Sequence, residues 1–275
     1  MNGFLKKLRI CLIGGPYLLW CFFTWIIRYS NHPEKKPLEY RYKKVRKLVS
    51  FIIKHCKVEP KIENRPDFST MEPTLFVVNH VNTLDALMFV TISQKPIVFI
   101  AKVEAMKLPF VGRILKCMDA LFLDRDDPRQ AIRLFQEANK YLQEKKAHIC
   151  IFPEGTRNRH PYEDPIKEFH PGSFKIAQRA KCQIVPVSVF GAFSLLKDNK
   201  LHRRYLVQMN FLETIPATIF VDKKTTDVAK ICEDAVSEVF LKQRKDDIAY
   251  YQNKLYKGKK EKWWLNPLIV EPYEK

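Results

Sequence analysis

A histidine and an aspartate five positions apart are the residues whose types and spacing most clearly suggest chemistry. His80 directly follows an apolar run that predicts a buried strand, and ligand sites in open α/β sheets form at strand ends. Side chains five positions apart on one helix point about 140° away from each other, so His80 and Asp85 meet only across a turn. Asn82 and Thr83 are turn and cap residues, and with Thr83 as the N-cap, Asp85 lies in the first turn of the next helix.

In that arrangement the Asp85 carboxylate accepts the Nδ1 proton of His80 and leaves Nε2 as a base for the proton of a hydroxyl group. The hydroxyl can belong to a substrate, so no serine is required. The alternative is a buried histidine with a satisfied hydrogen bond and no catalytic role, which would give the same spacing of one histidine and one aspartate. The other histidines lack this position at a strand end and do not pair at metal-ligand spacing, so we predict no metal site. They are His32, His55, His148, His160, His170 and His202.

A second polar segment, Phe-Pro-Glu-Gly-Thr-Arg at residues 152–157, also follows a predicted strand. Gly155 lets the backbone approach a ligand closely, Thr156 offers a hydroxyl and an amide, and Arg157 offers a fork that matches phosphate oxygens. Together these groups predict a phosphate site. The alternative is a generic turn whose arginine is a solvated surface charge.

Arg125 and Lys102 occupy comparable positions at strand ends. Arg125 closes the segment Leu-Phe-Leu-Asp-Arg, and Lys102 follows the strand predicted at 96–101. Each is a candidate second phosphate ligand or, alternatively, a partner in a structural salt bridge. Pro186 lies inside the predicted strand 183–190, which indicates an edge strand or a bulge and no chemical role.

These four segments, in this order, resemble the conserved blocks of the PlsC-type glycerolipid acyltransferases, the 1-acyl-sn-glycerol-3-phosphate acyltransferase family. They are NHVNTLD, LFLDR, FPEGTR and IVPVSV, and the resemblance covers about residues 70 to 215. The run Ala-Lys-x-Glu-x-x-Lys-x-Pro-x-x-Gly at 101–112 is similar to the family as well. One position departs from the family pattern: Asn82 stands where the family often has a small hydroxyl residue, which affects the hydrogen bonding of the turn.

By this resemblance, His80 is the general base and Asp85 is its partner. The resemblance also implies a set of substrate-binding residues, with the arginines on a phosphate. With Lys102 from the strand-end pattern, the set is Lys102, Arg125, Glu154, Gly155, Thr156 and Arg157.

The implied reaction moves a fatty acyl group from acyl-CoA or acyl carrier protein to the sn-2 hydroxyl of 1-acyl-glycerol-3-phosphate. The product is phosphatidic acid, and no cofactor is expected. Another acceptor, such as a lyso-ornithine lipid or another lysophospholipid, stays open because the segments define a class and not a head group. A third reading is a non-catalytic peripheral membrane or nucleic-acid binding protein, which accounts for the net charge of +18 but not for polar segments at strand ends. We therefore expect no nucleic-acid partner.

The elements around these segments predict an α/β fold. Short apolar runs alternate with helical stretches, which indicates a mixed, largely parallel sheet flanked by helices in a single acyltransferase domain, residues 58–241. Residues 1–57 are predicted as an N-terminal, membrane-associated helical region and residues 242–275 as a basic tail. The predicted strands are 75–78, 96–101, 120–123, 147–152, 183–190, 206–211 and 215–220, and the predicted helices are 84–92, 128–145, 171–180 and 226–241.

The N-terminal region suggests contact with a membrane. The apolar run 10–27 is interrupted by Gly14, Gly15 and Pro16 and has basic residues on both sides, so a segment that dips into the bilayer fits better than a signal peptide or a simple span. Next, residues 40–56 place apolar side chains at helical spacing among lysines and arginines. This pattern favours a basic amphipathic helix on an anionic membrane surface, and the alternative is a surface helix packed on the core.

We therefore expect a monotopic or peripheral protein on the cytoplasmic face of the cell membrane. Its expected partners are the membrane lipid acceptor, the acyl-CoA or acyl carrier protein donor and the anionic membrane surface. Seven scattered cysteines without a C-x-x-C pair agree with reduced thiols. Trp263 and Trp264, between lysines of the tail, either anchor at the membrane interface or pack on the domain.

Overall fold

The computed structural model describes residue 12 and residues 14–124, 126–196 and 204–252. Arg125, the lysines before residue 10 and the tryptophan pair of the tail lie outside these described residues. The strands are β1 (Val58–Glu63), β2 (Thr74–Val78), β3 (Ile97–Lys102), β4 (Leu121–Leu123), β5 (His148–Ile151), β6 (Gln183–Phe190) and β7 (Tyr205–Phe211). The helices are α1 (residues 14–31), α2 (Leu38–His55), α3 (Thr83–Ile92), α4 (Pro109–Cys117), α5 (Pro128–Gln143), α6 (Lys175–Ala180), α7 (Ala192–Leu196), α8 (Ala217–Phe220) and α9 (Thr225–Gln252).

Within the described residues, one seven-stranded sheet has the order β1-β7-β6-β2-β5-β3-β4. Strands β2 to β6 run parallel to one another, while β7 lies antiparallel to β6 and β1 parallel to β7. The prediction of a mixed, largely parallel sheet is therefore confirmed. Because β2, β5 and β3 are neighbours, the segments that follow their carboxyl ends meet at one edge of the sheet.

Helices cover both faces of the sheet, so its central strands are buried throughout. Successive residues of β2 point to opposite faces. Phe76 and Val78 pack with residues of α1, α2 and α3, whereas Leu75 and Val77 pack with residues of α5, α6 and α9. The two resulting cores fix the sheet between two helical layers and hold the strand ends in place.

Several predicted elements differ from the observed ones. Residues 215–220 were predicted as a strand, but apart from one bridge between Ile184 and Ile215 this segment forms helix α8. Helix α9 continues past its predicted end at Leu241 to Gln252, because its inward side goes on with the buried polar residues Gln243 and Asp247. The spacing of apolar residues, from which the helix was predicted, gives no sign that these polar residues are buried.

Pro186 was predicted to mark an edge strand or a bulge, and since β6 lies between β7 and β2 the first of these alternatives does not apply. The pairing of β6 shifts by one residue there, from Ile184–Ile215 to Val187–Phe211, as at a bulge. Pro186 still accepts a hydrogen bond from the Leu212 N–H at 2.9 Å. A proline is tolerated at this interior position because the ladder is interrupted where its missing N–H falls.

Helix α2 turns its apolar side inward. Tyr42, Val45 and Leu48 are at most 1% exposed and belong to the same core as Phe76 of β2. The expectation that this side lies in a membrane is therefore wrong, and the alternative of a helix packed on the core is confirmed. Its outer side is basic and carries Lys43, Lys47 and Lys54.

One predicted surface cation of α2 is buried as well. The Arg41 guanidinium donates to both carboxylate oxygens of Asp119, at 2.6 and 2.9 Å, and to the Cys117 carbonyl at 2.8 Å. This two-pronged contact fastens the start of α2 to the turn before β4.

Helix α1 is not interrupted where the sequence suggested. Gly14, Gly15 and Pro16 are helical, and the helix widens into a π-helical turn at Phe22–Ile26. It is tied to α4, since Arg113 donates to the Ser30 hydroxyl at 3.1 Å. In the described parts of the chain, no helix combines the length and the apolar character needed to cross a bilayer.

Candidate active site

The site begins where β2 ends. The Asn79 side chain donates to the Val189 carbonyl at 3.0 Å and accepts from the Val189 N–H at 2.7 Å. The side chain thereby makes the two hydrogen bonds to β6 that a backbone group of a neighbouring strand would make. The backbone itself leaves the sheet here and continues to His80. Sequence reasoning gave no role to Asn79, although an asparagine beside a buried strand is unusual enough to mark it.

The turn after His80 is closed by Asn82, not by Thr83 as predicted. Asn82 is the N-cap of α3: its side-chain oxygen accepts from the Leu84 N–H at 3.4 Å, and its own N–H donates to Asp85 at 2.6 Å. Asparagine is as good an N-cap as a small hydroxyl residue. The departure from the family pattern at this position therefore leaves the helix capped.

The Asp85 carboxylate collects three donors on one oxygen. Its Oδ2 accepts from His80 Nδ1 at 3.1 Å, from the Val81 N–H at 2.8 Å and from the Asn82 N–H. The Asp85 side chain is fully buried, whereas the His80 side chain remains 18% exposed. Because Nδ1 donates to a carboxylate, Nε2 is the ring nitrogen left for a substrate. The predicted pairing of His80 with Asp85 is thus present in the structure.

A phenylalanine that sequence reasoning left without a role supports the His80 ring. Phe152, just after β5, stacks on the imidazole with 4.1 Å between ring centroids and 26° between ring planes. The stacking contact fixes the face of the imidazole ring, and the hydrogen bond to Asp85 fixes its edge. Nothing in the sequence alone indicates which aromatic side chain faces His80.

The loop that follows β5 is attached to the backbone of His80. Glu154 is 3% exposed and its Oε1 accepts from the His80 N–H at 2.6 Å. Burial raises the pKa of Glu154 to about 7, although backbone N–H groups favour its ionised form. Gly155 has a φ of 63°, a left-handed conformation that glycine adopts without strain.

The predicted phosphate ligands lie at the same edge of the sheet. Thr156 and Arg157 are exposed, and Arg157 Nη1 donates to the Thr83 hydroxyl at 3.3 Å, at the start of α3. Lys102 is exposed at the end of β3, next to β5 in the sheet. The structure therefore brings Arg157 and Glu154 to the His80 turn and places Lys102 at the neighbouring strand end, while Arg125 lies outside the described residues.

Comparisons with known proteins indicate the class of protein. A family model described as Acyltransferase matches residues 59–190. The "Probable 1-acyl-sn-glycerol-3-phosphate acyltransferase" of Mycoplasma pneumoniae is 29% identical over 258 residues, which cover 88% of this chain and 95% of that protein. The 1-acyl-sn-glycerol-3-phosphate acyltransferase of Escherichia coli is 27% identical over 180 residues, which cover 65% of this chain and 72% of that protein.

The same fold occurs in a solved structure. The crystal structure of the 1-acyl-sn-glycerophosphate acyltransferase PlsC from Thermotoga maritima aligns with a TM-score of 0.67 and 21% identity, covering 88% of this chain and 96% of that one. The family model and the curated relatives identify an acyltransferase domain in this chain. Its relatives include 1-acyl-sn-glycerol-3-phosphate acyltransferases, as the four sequence segments indicated.

Proposed function

We propose that this enzyme transfers a fatty acyl group from a thioester to the sn-2 hydroxyl of 1-acyl-glycerol-3-phosphate, giving phosphatidic acid. The observation that carries the proposal is the hydrogen bond of 3.1 Å between His80 and the buried Asp85, beside the exposed Arg157. Both relatives described above carry the name of this acceptor, which supports the same acceptor here. The donor is acyl-CoA or acyl carrier protein.

The reaction needs one base and no covalent enzyme intermediate. His80 Nε2 removes the proton of the acceptor hydroxyl as its oxygen attacks the thioester carbonyl carbon. The carbon–sulfur bond then breaks, and the proton on His80 passes to the leaving thiol. Asp85 holds the imidazole in the required tautomer and stabilises the imidazolium that forms.

The acceptor phosphate binds the cations at the edge of the sheet. Arg157 provides a guanidinium fork and Lys102 supplies further positive charge. Arg125, which lies outside the described residues, is a further phosphate ligand by the sequence resemblance. Thr156 and Gly155 offer a hydroxyl and main-chain groups in the same turn. Because Arg157 contacts Thr83, the first residue of the helix that carries Asp85, a bound phosphate lies near the base.

We propose that the protein attaches to the cytoplasmic face of the membrane, and the outer side of α1 supports contact with lipid. Leu19, Trp20 and Phe23 are between 48% and 71% exposed on this helix. Large apolar side chains grouped in this way indicate a surface that binds lipid. Leu108 is also exposed at 51%, at the start of α4, the helix to which α1 is tied. The acceptor's acyl chain then stays in the leaflet while its head group reaches His80.

A panel of lysolipids assayed with one acyl thioester tests the acceptor. The panel contains 1-acyl-glycerol-3-phosphate, a monoacylglycerol, lysophosphatidylcholine and a lyso-ornithine lipid, each in vesicles, with release of the free thiol as the signal. We expect the phosphate monoester to be used most efficiently. Preference for a phosphate-free acceptor would contradict the proposal, and vesicle binding without any thioester consumption would favour a non-catalytic membrane protein.

A further inference from the structure

Glu154 is buried although it lies in a loop whose next residues are exposed. Each of its carboxylate oxygens accepts a hydrogen bond from a backbone N–H group: Oε1 from His80 at 2.6 Å and Oε2 from Lys167 at 2.9 Å. Both oxygens are therefore engaged by the main chain, and the side chain is withdrawn from the surface on which Arg157 lies. A substrate-binding carboxylate needs at least one oxygen directed to the ligand.

The same loop also holds the other side of the His80 residue. The Asn158 N–H donates to the His80 carbonyl at 2.7 Å. Asn158 itself is 1% exposed and is fixed by its side chain, which accepts from the His160 N–H and donates to the Pro165 carbonyl, each at 3.0 Å. The peptide groups on both sides of His80 are thus fastened to residues 154–167.

We propose that Glu154 is a positioning residue that fixes the backbone of His80 to the loop carrying Arg157, and that it does not bind the acceptor. The inference rests on the proposed function, in which His80 removes the acceptor proton. A buried N–H that loses its acceptor either stays unsatisfied or moves to find another. Movement of the His80 peptide displaces the base from the hydroxyl, and a misplacement of about 1 Å can lower a rate by roughly a hundredfold.

Glu154→Gln tests this role with little change in volume. The glutamine amide has one oxygen and one NH₂ group, so it accepts a hydrogen bond from only one of the two backbone N–H groups. The other N–H group then faces the NH₂ group, which is also a donor. We expect kcat to fall by about ten- to a hundredfold while KM for the acceptor and KM for the thioester stay unchanged. The amide proton resonances of His80 and Lys167 should shift as well, because the carboxyl group that accepts from both N–H groups is replaced by an amide.

Glu168→Gln is the matched control, since Glu168 is an exposed carboxylate of the same loop. It should leave kcat, both KM values and the two resonances unchanged. Glu154→Asp is the second variant: it keeps two acceptor oxygens on a shorter side chain, so part of the kcat lost in Glu154→Gln should return. This variant also keeps the test decisive if the glutamine variant does not fold.

Two outcomes overturn the proposal. A rise in KM for the acceptor at unchanged kcat assigns Glu154 to substrate binding. A lower melting temperature with kcat per folded molecule unchanged assigns it a structural role alone. Failure of the proposed function is distinguishable, because it appears as a wild-type chain that transfers no acyl group in the same assay, whereas the resonances of His80 and Lys167 report the Glu154 contacts without any turnover.

Discussion

At the residue scale, the site is organised around the backbone as much as around side chains. Asp85 orients the His80 ring and at the same time closes the turn by accepting two backbone N–H groups. A carboxylate held by several donors is fixed in place, which is what the partner of an imidazole base requires. The proposed catalytic pair, His80 and Asp85, is therefore also the capping structure of the turn.

Arg157 should matter for one substrate and not for the other. Arg157→Ala removes the guanidinium fork, and we expect KM for 1-acyl-glycerol-3-phosphate to rise roughly ten- to a hundredfold, since a hydrogen bond to a charged group contributes about 1.5–3 kcal/mol. KM for the thioester should stay constant. Arg159→Ala is the control, an exposed arginine two positions further along the same loop. An effect confined to the thioester reassigns Arg157 to the donor.

The sequence predicted the His80–Asp85 pair because a strand end, a turn and a helix start are all local patterns. It misplaced the cap by one residue, since Asn82 and Thr83 are both competent N-caps. The contacts of Phe152 and Glu154 were beyond prediction, because they join residues that are distant in sequence. Which atoms meet across two strand ends depends on strand order and side-chain direction.

At the element scale, α4 connects the edge of the site to α1. A Cβ atom on Gly112 would lie 2.3 Å from the Met106 carbonyl oxygen, so α4 packs directly on the short 3₁₀ helix Val103–Lys107 that follows Lys102. Cys117 of α4 in turn contacts the Ile26 carbonyl at 3.6 Å. The proposed membrane surface and the proposed phosphate site are therefore joined through the 3₁₀ helix and α4, which follow each other in the chain.

The exposed side of α1 should govern binding to vesicles. Replacing both Trp20 and Phe23 by serine removes two large apolar side chains, and we expect the partition coefficient onto anionic vesicles to fall at least about tenfold, since each buried side chain contributes roughly 1.5–3 kcal/mol. Ile132→Ser with Ile219→Ser is the control, because these residues are 50% and 53% exposed on other helices. Equal losses in both pairs would show that α1 is not the lipid-binding surface.

Element prediction succeeded where burial and periodicity coincide. Strand β6 has the predicted bounds, and β2, β5 and α5 were predicted within a few residues. Strand β1 was missed because it contains Pro60 and Lys61 and is only partly buried. The burial of Arg41 was missed for a similar reason: a charge at a helical position indicates solvent until its partner, here Asp119, is known.

At the scale of the whole molecule, strand order decides which segments become neighbours. The sequence indicates strands and their alternation with helices, but the adjacency of β2 with both β5 and β6 comes from pairing across long stretches of chain. Strands predicted from short apolar runs can be arranged in a parallel sheet in several different strand orders. The general rule for strand ends predicts that the polar segments lie at one edge of the sheet. It does not predict the order in which they lie along that edge.

A buried histidine should make folding stability depend on pH. His148 is 1% exposed, its ring nitrogens have no hydrogen-bond partner in the described structure, and burial, with the nearby Lys95 charge, lowers its pKa from 6.5 to about 4. The folded state then binds fewer protons than the unfolded state. The stabilisation is fully present above pH 6.5 and is lost as pH falls towards 4.

The measurement is the free energy of unfolding in urea, for wild type and His148→Leu, across this pH range. Burial raises the pKa of Glu154 to about 7 and that of Asp247 to about 6, which acts with the opposite sign, since their stabilisation is lost as pH rises. Both carboxyl groups are present in both chains, so the difference between the chains isolates His148. We expect that difference to change by an amount on the order of 2–3 kcal/mol. Parallel curves would show that His148 does not titrate differently on folding.

The central claim is that His80 is the base for acyl transfer to a lysophosphatidic acid acceptor. It is tested most directly by thiol release from an acyl thioester with 1-acyl-glycerol-3-phosphate in vesicles, comparing wild type with His80→Ala. Thermal unfolding of both chains establishes that the variant is folded, and vesicle binding establishes that it still reaches its substrate. A loss of about 10²- to 10⁴-fold in kcat is predicted for a positioned general base. A folded, vesicle-bound His80→Ala protein with wild-type turnover contradicts the account.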